Sequence, residues 1–410
     1  MKKTNSIENK SLIVAIIMIA SSILGLLRET IVASQFGAGI ESDAYFVAQT
    51  IPSLITNVVN AGVTSSFVTI YSSFILRGEK EKARNTTNSL LTIFGMLLTV
   101  VVIILVLNPS FFIKLIANTY EGKALSLSSN LLKIMSWSII FSGLTAILIG
   151  INNSNNSFMA PASIGLVMNI VMIIGTLILS EKFGIYALGL SSIIAVFFQF
   201  LIQIPSSLKN GLKYKPNFNF RDEGMRDIII MIFPFLFTAI INQVNLIIDR
   251  NLATQLESGV ITSMYYAGKL LSLPQNIISS ALGMVILPIL VECIVKERKN
   301  DAVDIIIKSM RLITIMVFPI IIILNIFSYD IVSIIFGHGN FGENSINQTA
   351  SLIPFYFGVV YFGAIWSVLT KIYFATQKTK INILTSLISV ISKVIFSYIL
   401  FPIMKDKGLV

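Results

Sequence analysis

Eleven apolar stretches run through this chain, and each is long enough to cross the hydrocarbon core of a membrane. They cover approximately 11–35, 44–76, 88–107, 127–151, 160–180, 184–204, 227–250, 259–293, 305–327, 348–370 and 381–403. About 20 apolar residues span ~30 Å of hydrocarbon as a helix. None of the stretches shows the strict alternation of a transmembrane β-strand. Composition agrees: 55% of the 410 residues are hydrophobic and only 12% are charged, too few to cover the surface of soluble domains. The expected fold is therefore an all-α polytopic membrane protein. The first stretch follows Lys2, Lys3 and Lys10 as a signal peptide would, but it is longer than one and is read as retained.

The net charge of +10 needs an explanation that respects this topology. With the N-terminus placed inside, basic residues gather on alternate loops. The inner set is Lys2, Lys3 and Lys10, then Arg77 to Arg84, Lys209 to Arg226, Lys296 to Arg311, and Lys371 to Lys380. The outer side holds only Lys114, Lys123, Lys182, Arg250, Lys405 and Lys407. This is the positive-inside pattern. It accounts for the basic chain without nucleic acid, since the cations are dispersed along loops rather than massed on one face. The loop at about 205–226 is rich in cations and aromatics. It reads equally as a segment lying along the inner headgroup layer, held by anionic lipid, and as a solvated linker.

The pattern before that loop recurs after it. DAYFVAQTIPSL at 43–54 resembles SMYYAGKLLSLP at 263–274, and SSFVTIYSSF at 65–74 resembles MVILPILVEC at 284–293. APASIGLVMNIVMIIGTLIL at 160–179 matches the texture of 381–400. A steady offset of about 220 residues implies two pseudo-repeated six-helix lobes, 1–204 and 227–410, joined by a cytoplasmic basic linker at 205–226. FGIYALGL at 183–190 opens a sixth helix, whereas its counterpart KDKGLV ends at residue 410. About eleven transmembrane helices are expected, the second lobe lacking its last.

Ionisable and amide residues inside such segments are costly and usually face a cavity or a partner. In the first half they are Arg28, Glu29 and Asp43, followed by Asn57 and Asn60, with a kink expected at Pro52. In the second half Asn242, Asn245 and Asp249 share one helix face, and Lys269 lies deep in its segment. Two readings stand for Arg28, a cavity lining or a local ion pair with Glu29. Asn57 and Asn60 suit helix–helix hydrogen bonding or substrate contact. Lys133 and Lys393 are expected to snorkel to an interface. A zinc site or histidine triad is disfavoured by a lone histidine and a lone cysteine. No GxxxxGK[ST], GxSxG or HExxH occurs, so neither an ATPase nor a hydrolase is indicated, and no cofactor is expected. Cations within membrane segments suit an anionic substrate, phosphate above all.

The run ILGLLRETIVASQFGAGIESDAYFVAQTIPSL at 23–54 resembles the first two helices of the MurJ-type (MviN) lipid II flippases, within the superfamily that includes multidrug extruders and polysaccharide flippases. SGVITSMYYAGKLLSLPQNIISSALGMVILPIL at 258–290 is similar to that family's eighth helix. The resemblance implies two six-helix lobes around a V-shaped cavity that alternates its access. It implies movement of an undecaprenyl-pyrophosphate-linked peptidoglycan precursor to the outer leaflet of a bacterial plasma membrane, driven by the membrane potential or a coupling ion. The substrate could instead be another lipid-linked saccharide, and a drug antiporter on the same scaffold is the more distant alternative. Arg28 and Asp43 match the family's motif positions. Lys269 falls where arginine is usual, which keeps the charge and loses the bidentate fork. Ser22 and the Thr56–Asn57 pair stand where arginines are common, so this cavity is expected to carry fewer cations.

Overall fold

In a computed structural model the chain is helical from end to end, with no strand among the described residues. These are residues 2–219, 222–376 and 379–409. Arg221 and Lys378 lie outside them, as do the side chains of Lys2, Lys3, Lys10, Asn242 and Lys380. Lipid offers a peptide group no hydrogen-bond partner, so a spanning segment must bond to itself, which a helix does. Among the described residues nine helical spans are long and apolar enough to cross a membrane. Each coincides with an expected stretch. The remaining two stretches fall on helices of 31 and 36 residues.

The helices form two compact units. The first holds residues 40–247 with most of α1 (Lys2–Phe36). Next come α2 (Ile40–Val59), α3 (Ser65–Leu76), α4 (Lys80–Leu107), α5 (Pro109–Ile116) and α6 (Gly122–Met135). They are followed by α7 (Ser138–Ser154), α8 (Met159–Ala162), α9 (Ile164–Phe183), α10 (Tyr186–Lys209) and most of α11 (Glu223–Ala253). Within this unit α10 packs along α7 and α9, α2 along α6, and α4 along α7. Small residues allow the close approaches. At Gly150 on α7 an added Cβ would stand 2.5 Å from Phe67 Cδ1 on α3, a side chain with no exposed surface. Asn152 ties α7 to α10: its Nδ2 donates to Gln203 Oε1 at 3.0 Å, and its Oδ1 accepts from Asn210 Nδ2 at 3.0 Å.

The second unit begins with the end of α11 and continues through α12 (Val260–Val295), α13 (Lys299–Ile326), α14 (Ser328–Phe336) and α15 (Glu343–Leu352), then α16 (Tyr356–Ala375) and α17 (Thr379–Met404). The turn at 36–39 belongs to this unit as well. Gly37, at φ +63°, faces the backbone carbonyl of Asn340 with no room for a Cβ. Here α12 packs on α16, α13 and α15, and Tyr266, Phe336 and Phe341 form a buried aromatic cluster, the first two with centroids 4.8 Å apart.

The element order repeats as the sequence predicts. α2, α4, α5, α6 and α7 start at 40, 80, 109, 122 and 138, and α12, α13, α14, α15 and α16 start at 260, 299, 328, 343 and 356. Three features were not anticipated. The stretch 44–76 is one span built of two α-helices joined by a π-helical turn at Asn60–Thr64. The stretch 127–151 is divided at Ser136–Trp137. The loop at 205–226 is shorter than expected, because α10 continues to Lys209 through Pro205 and α11 begins at Glu223.

Gly150→Leu should lower the thermal stability of the protein in detergent by about 1–3 kcal/mol, through overpacking against Phe67. Gly39→Ala, with nothing within 4 Å of its Cβ, should change it by less than about 0.5 kcal/mol. Thermal unfolding of the two purified variants is the measurement.

Candidate functional site

The first charged group lies near the end of α1. Arg28 Nη2 donates to Glu29 Oε1, with the Arg28 side chain 15% exposed and that of Glu29 3% exposed. Neighbouring helical residues diverge by about 100°, so the pair forms because the arginine is long enough to curl toward the shorter acid. The ion-pair reading of Arg28 is thus met, and the cation keeps some accessible surface. Tyr45 is buried within electrostatic reach of both partners. Asp43 is also almost fully buried, in the first turn of α2, where a carboxylate is favoured by the helix dipole.

Asn57 and Asn60 sit further along the same span, both exposed. Asn60 opens the π-helical turn. Such turns are frequent at functional positions because they free backbone groups and rotate the side chains that follow. At Gly62 in this turn an added Cβ would meet Leu236 Cδ2 of α11 at 3.3 Å, so the turn coincides with a close helix approach. Asn245, on α11, has a buried Oδ1 with no hydrogen-bond partner among the described residues.

In the second unit Asp249 Oδ1 stands 3.1 Å from Lys393 Nζ of α17. The lysine also donates to the backbone carbonyl of Leu409 at 2.7 Å. The expectation that Lys393 snorkels gains a detail here, since its ammonium has a carboxylate and a carbonyl within reach. An ammonium in an apolar helix gains more from a carboxylate within reach than from stretching its stem toward water, and Asp249 on α11 supplies that carboxylate. Lys269 is half-buried in the first third of α12, and its carbonyl accepts from Ser272 Oγ at 2.9 Å.

Two of the sequence-predicted residues, Arg28 and Asp249, are thus each brought together with a charged partner outside the candidate set, Glu29 and Lys393. Both partners are legible in the sequence as ionisable residues within apolar stretches, and the Arg28–Glu29 pair as one reading of neighbours. That Asp249 meets Lys393 is a matter of tertiary packing.

A family profile described as lipid II flippase MurJ matches residues 32–410. The chain belongs to the MurJ family. A probable lipid II flippase MurJ of Buchnera aphidicola (from Schizaphis graminum) is 30% identical over 388 residues, covering 93% of this chain and 75% of that protein. The lipid II flippase MurJ of Burkholderia cenocepacia is 25% identical over 402 residues, covering 95% and 77%. A solved structure of lipid II flippase MurJ in an inward closed conformation superposes with a TM-score of 0.84 at 27% identity, covering 97% of this chain and 83% of that one. An inward-facing multidrug MATE transporter shares the fold, with a TM-score of 0.80 at 12% identity. The chain is accordingly a multi-pass membrane protein of the transporter type, as the eleven apolar stretches predict.

Replacing Lys393 by methionine in this MurJ-family chain leaves Asp249 without its cation. Removing one partner of a fully buried pair costs about 3–5 kcal/mol; with both side chains about a quarter exposed, a loss of ~1–3 kcal/mol is expected. Adding Asp249→Asn should recover part of that loss. Thermal unfolding of the single and double variants reads this directly, and equal stability of Lys393→Met and the parent would show that the pair contributes nothing.

Proposed function

We propose that this protein is a lipid II flippase: it moves an undecaprenyl-pyrophosphate-linked peptidoglycan precursor from the cytoplasmic to the outer leaflet of a bacterial plasma membrane, for cell-wall synthesis. The observation that carries this reading is membership of the MurJ family over nearly the whole chain, together with the likeness to a solved MurJ structure. The MATE likeness, at 12% identity, speaks for the fold alone.

In this reading the lobes are 1–204 and 227–410, linked by 205–226, with the N-terminus cytoplasmic. The repeated order of elements supports the lobes, and the distribution of Lys and Arg supports the orientation. Arg28 and Lys269 bind the pyrophosphate, the first as a bidentate fork held in place by Glu29, the second as a point charge. Asp43, Asn57, Asn60, Asn245 and Asp249 line the path of the glycan, offering hydrogen bonds that a sugar can accept or return. The pyrophosphate competes with Glu29 for Arg28, so binding and release are linked to the state of that pair. Transport draws on the membrane potential or an ion gradient. No step of bond making or breaking is required, which is consistent with a transporter rather than an enzyme.

The test is complementation. Cells depleted of their own lipid II flippase and supplied with this gene should regain outward-facing precursor, measured by its accessibility to an externally added probe. Arg28→Ala and Lys269→Ala should each reduce that signal by about tenfold or more, whereas Arg28→Lys should retain part of it. Full rescue by both alanine variants would sink the pyrophosphate assignment while leaving the transport reading intact. Failure of the unaltered gene, with the protein present in the membrane, would count against transport of this substrate.

A further inference from the structure

The first unit carries a channel between α4, α7 and α10 that changes character along its length. At its polar end is a cavity of about 450 Å³ lined by Lys80, Arg84 and Lys209, with Tyr71, Asn155 and Asn210 among its other walls. Arg84 contacts Glu81 at 2.6 Å. Among the described residues Lys80 and Lys209 form no ion pair with a carboxylate within 4.0 Å. The cavity also borders the start of the 28-residue α4, whose cap residue Glu79 makes no side-chain hydrogen bond to the first turn. Three cations and no carboxylate line the cavity, while the neighbouring acids Glu79 and Glu81 pair with Lys82 and Arg84, which leaves a site for an anion with several acceptor oxygens.

Deeper along the same three helices lies an apolar cavity of about 820 Å³, lined by Met96, Leu144, Leu148, Phe200, Ile204 and Tyr214 among others. Leu212 belongs to the walls of both cavities. On α4 the lining positions 80, 84 and 87 continue into 91, 95 and 99, so one helix face serves both. From Thr87 to Val100 that face rises about 20 Å, close to the depth of one leaflet of ~15 Å hydrocarbon. The deeper chamber opens on the lipid-facing side, where Met96, Val100 and Leu208 are each more than half exposed.

The segment after α10 covers this channel and is fixed there. Asn88 Nδ2 donates to the Lys213 carbonyl at 3.2 Å, Thr92 Oγ1 contacts Tyr214 Oη at 3.2 Å, and the Asn217 amide donates to Thr92 Oγ1 at 3.2 Å. A basic pocket alone would suit free phosphate, and an apolar chamber alone would suit any lipid tail. The two cavities share Leu212 and one face of α4, and a molecule with both parts matches the pair.

We propose that the α4–α7–α10 channel is a binding site for a bilayer lipid with a net-negative phosphate headgroup, the phosphate held by Lys80, Arg84 and Lys209 and one acyl chain lying along Met96, Leu144 and Phe200. Neither Arg28 nor Lys269 lines either cavity, and the proposal does not depend on which substrate the protein moves. Its occupant fastens the strap at 212–218 to the first unit from beneath, as the hydrogen bonds to Asn88 and Thr92 fasten it from the side.

The experiment is photolabelling of the purified full-length protein in detergent with phosphatidylglycerol bearing a diazirine on its acyl chain, the labelled peptides being mapped by mass spectrometry. Label is expected on α4, α7 and α10 around the apolar chamber. Combined replacement of Lys80, Arg84 and Lys209 by alanine should lower it by about tenfold or more. Leu144→Trp, which fills the chamber and leaves the cations, should lower it comparably, so the result does not hang on one variant's folding. Arg28→Ala should leave it unchanged, which separates this site from the substrate reading. Equal labelling by the phosphatidylcholine analogue would overturn headgroup selection. Loss of label on adding inorganic phosphate would assign the pocket to a soluble anion instead. Stronger displacement by an isoprenyl diphosphate than by unlabelled phosphatidylglycerol would make it a substrate-loading position and overturn the bilayer-lipid assignment.

Discussion

Every long helix in this protein answers one constraint: a polar group in hydrocarbon must find its partner within the protein. The backbone satisfies it by helix formation, and the side chains follow the same rule locally. Thr50, Thr92, Thr99, Thr145, Ser309 and Thr314 each return a hydroxyl to the carbonyl four residues earlier. Such back-bonding gives little to helix stability in water, where the hydroxyl has other choices. In lipid it gives the hydroxyl a partner within its own helix, to which Thr92 adds Tyr214 and Asn217 and Thr314 adds Tyr361.

For charges the same constraint is harsher, and the response is pairing. Arg28 meets Glu29, and Lys393 meets Asp249. A neutral pair reduces the desolvation penalty without removing the charges from use, because each partner can exchange its counter-ion for another. For a transporter of an anionic group this matters. A naked arginine would hold a pyrophosphate too tightly to release it, whereas one already shared with a carboxylate returns to its internal partner when the substrate leaves. In the proposed reading the lysine at 269 would work in the same direction, since a point charge grips less directionally than a fork.

The fold was legible in the sequence to the extent that hydrophobic length and period govern it. The stretches are long and continuous, and their offset recurs because the short helices α5 and α6 have counterparts in α14 and α15. What escaped notice has no compositional signal. The π-helical turn at Asn60–Thr64 carries the ordinary residues NAGVT, and only the close packing at Gly62 marks the place. Lys393 was legible as an intramembrane charge but not as a partner of Asp249, because the two are far apart in sequence and meet only in the folded chain. Sequence alone located the charges and offered the neighbouring Glu29 as a counter-ion of Arg28, but not a counter-ion brought in by another helix.

The segment after α10 shows how the constraint reaches beyond the membrane core. Read from composition, residues 205–226 suit a solvated linker or a headgroup-layer segment equally. The structure adds that residues 213–217 are hydrogen-bonded to α4, because Asn88 and Thr92 present amide and hydroxyl groups on a buried face. The chain supplies its own partners there, the Lys213 carbonyl and the Asn217 amide, and in doing so draws Leu212 and Tyr214 over the apolar chamber. A polar requirement on one helix thereby fixes the course of a loop, and the loop in turn completes a compartment basic at one end and apolar at the other. In the proposed orientation that gradient runs parallel to the membrane's own, from a charged headgroup layer to hydrocarbon.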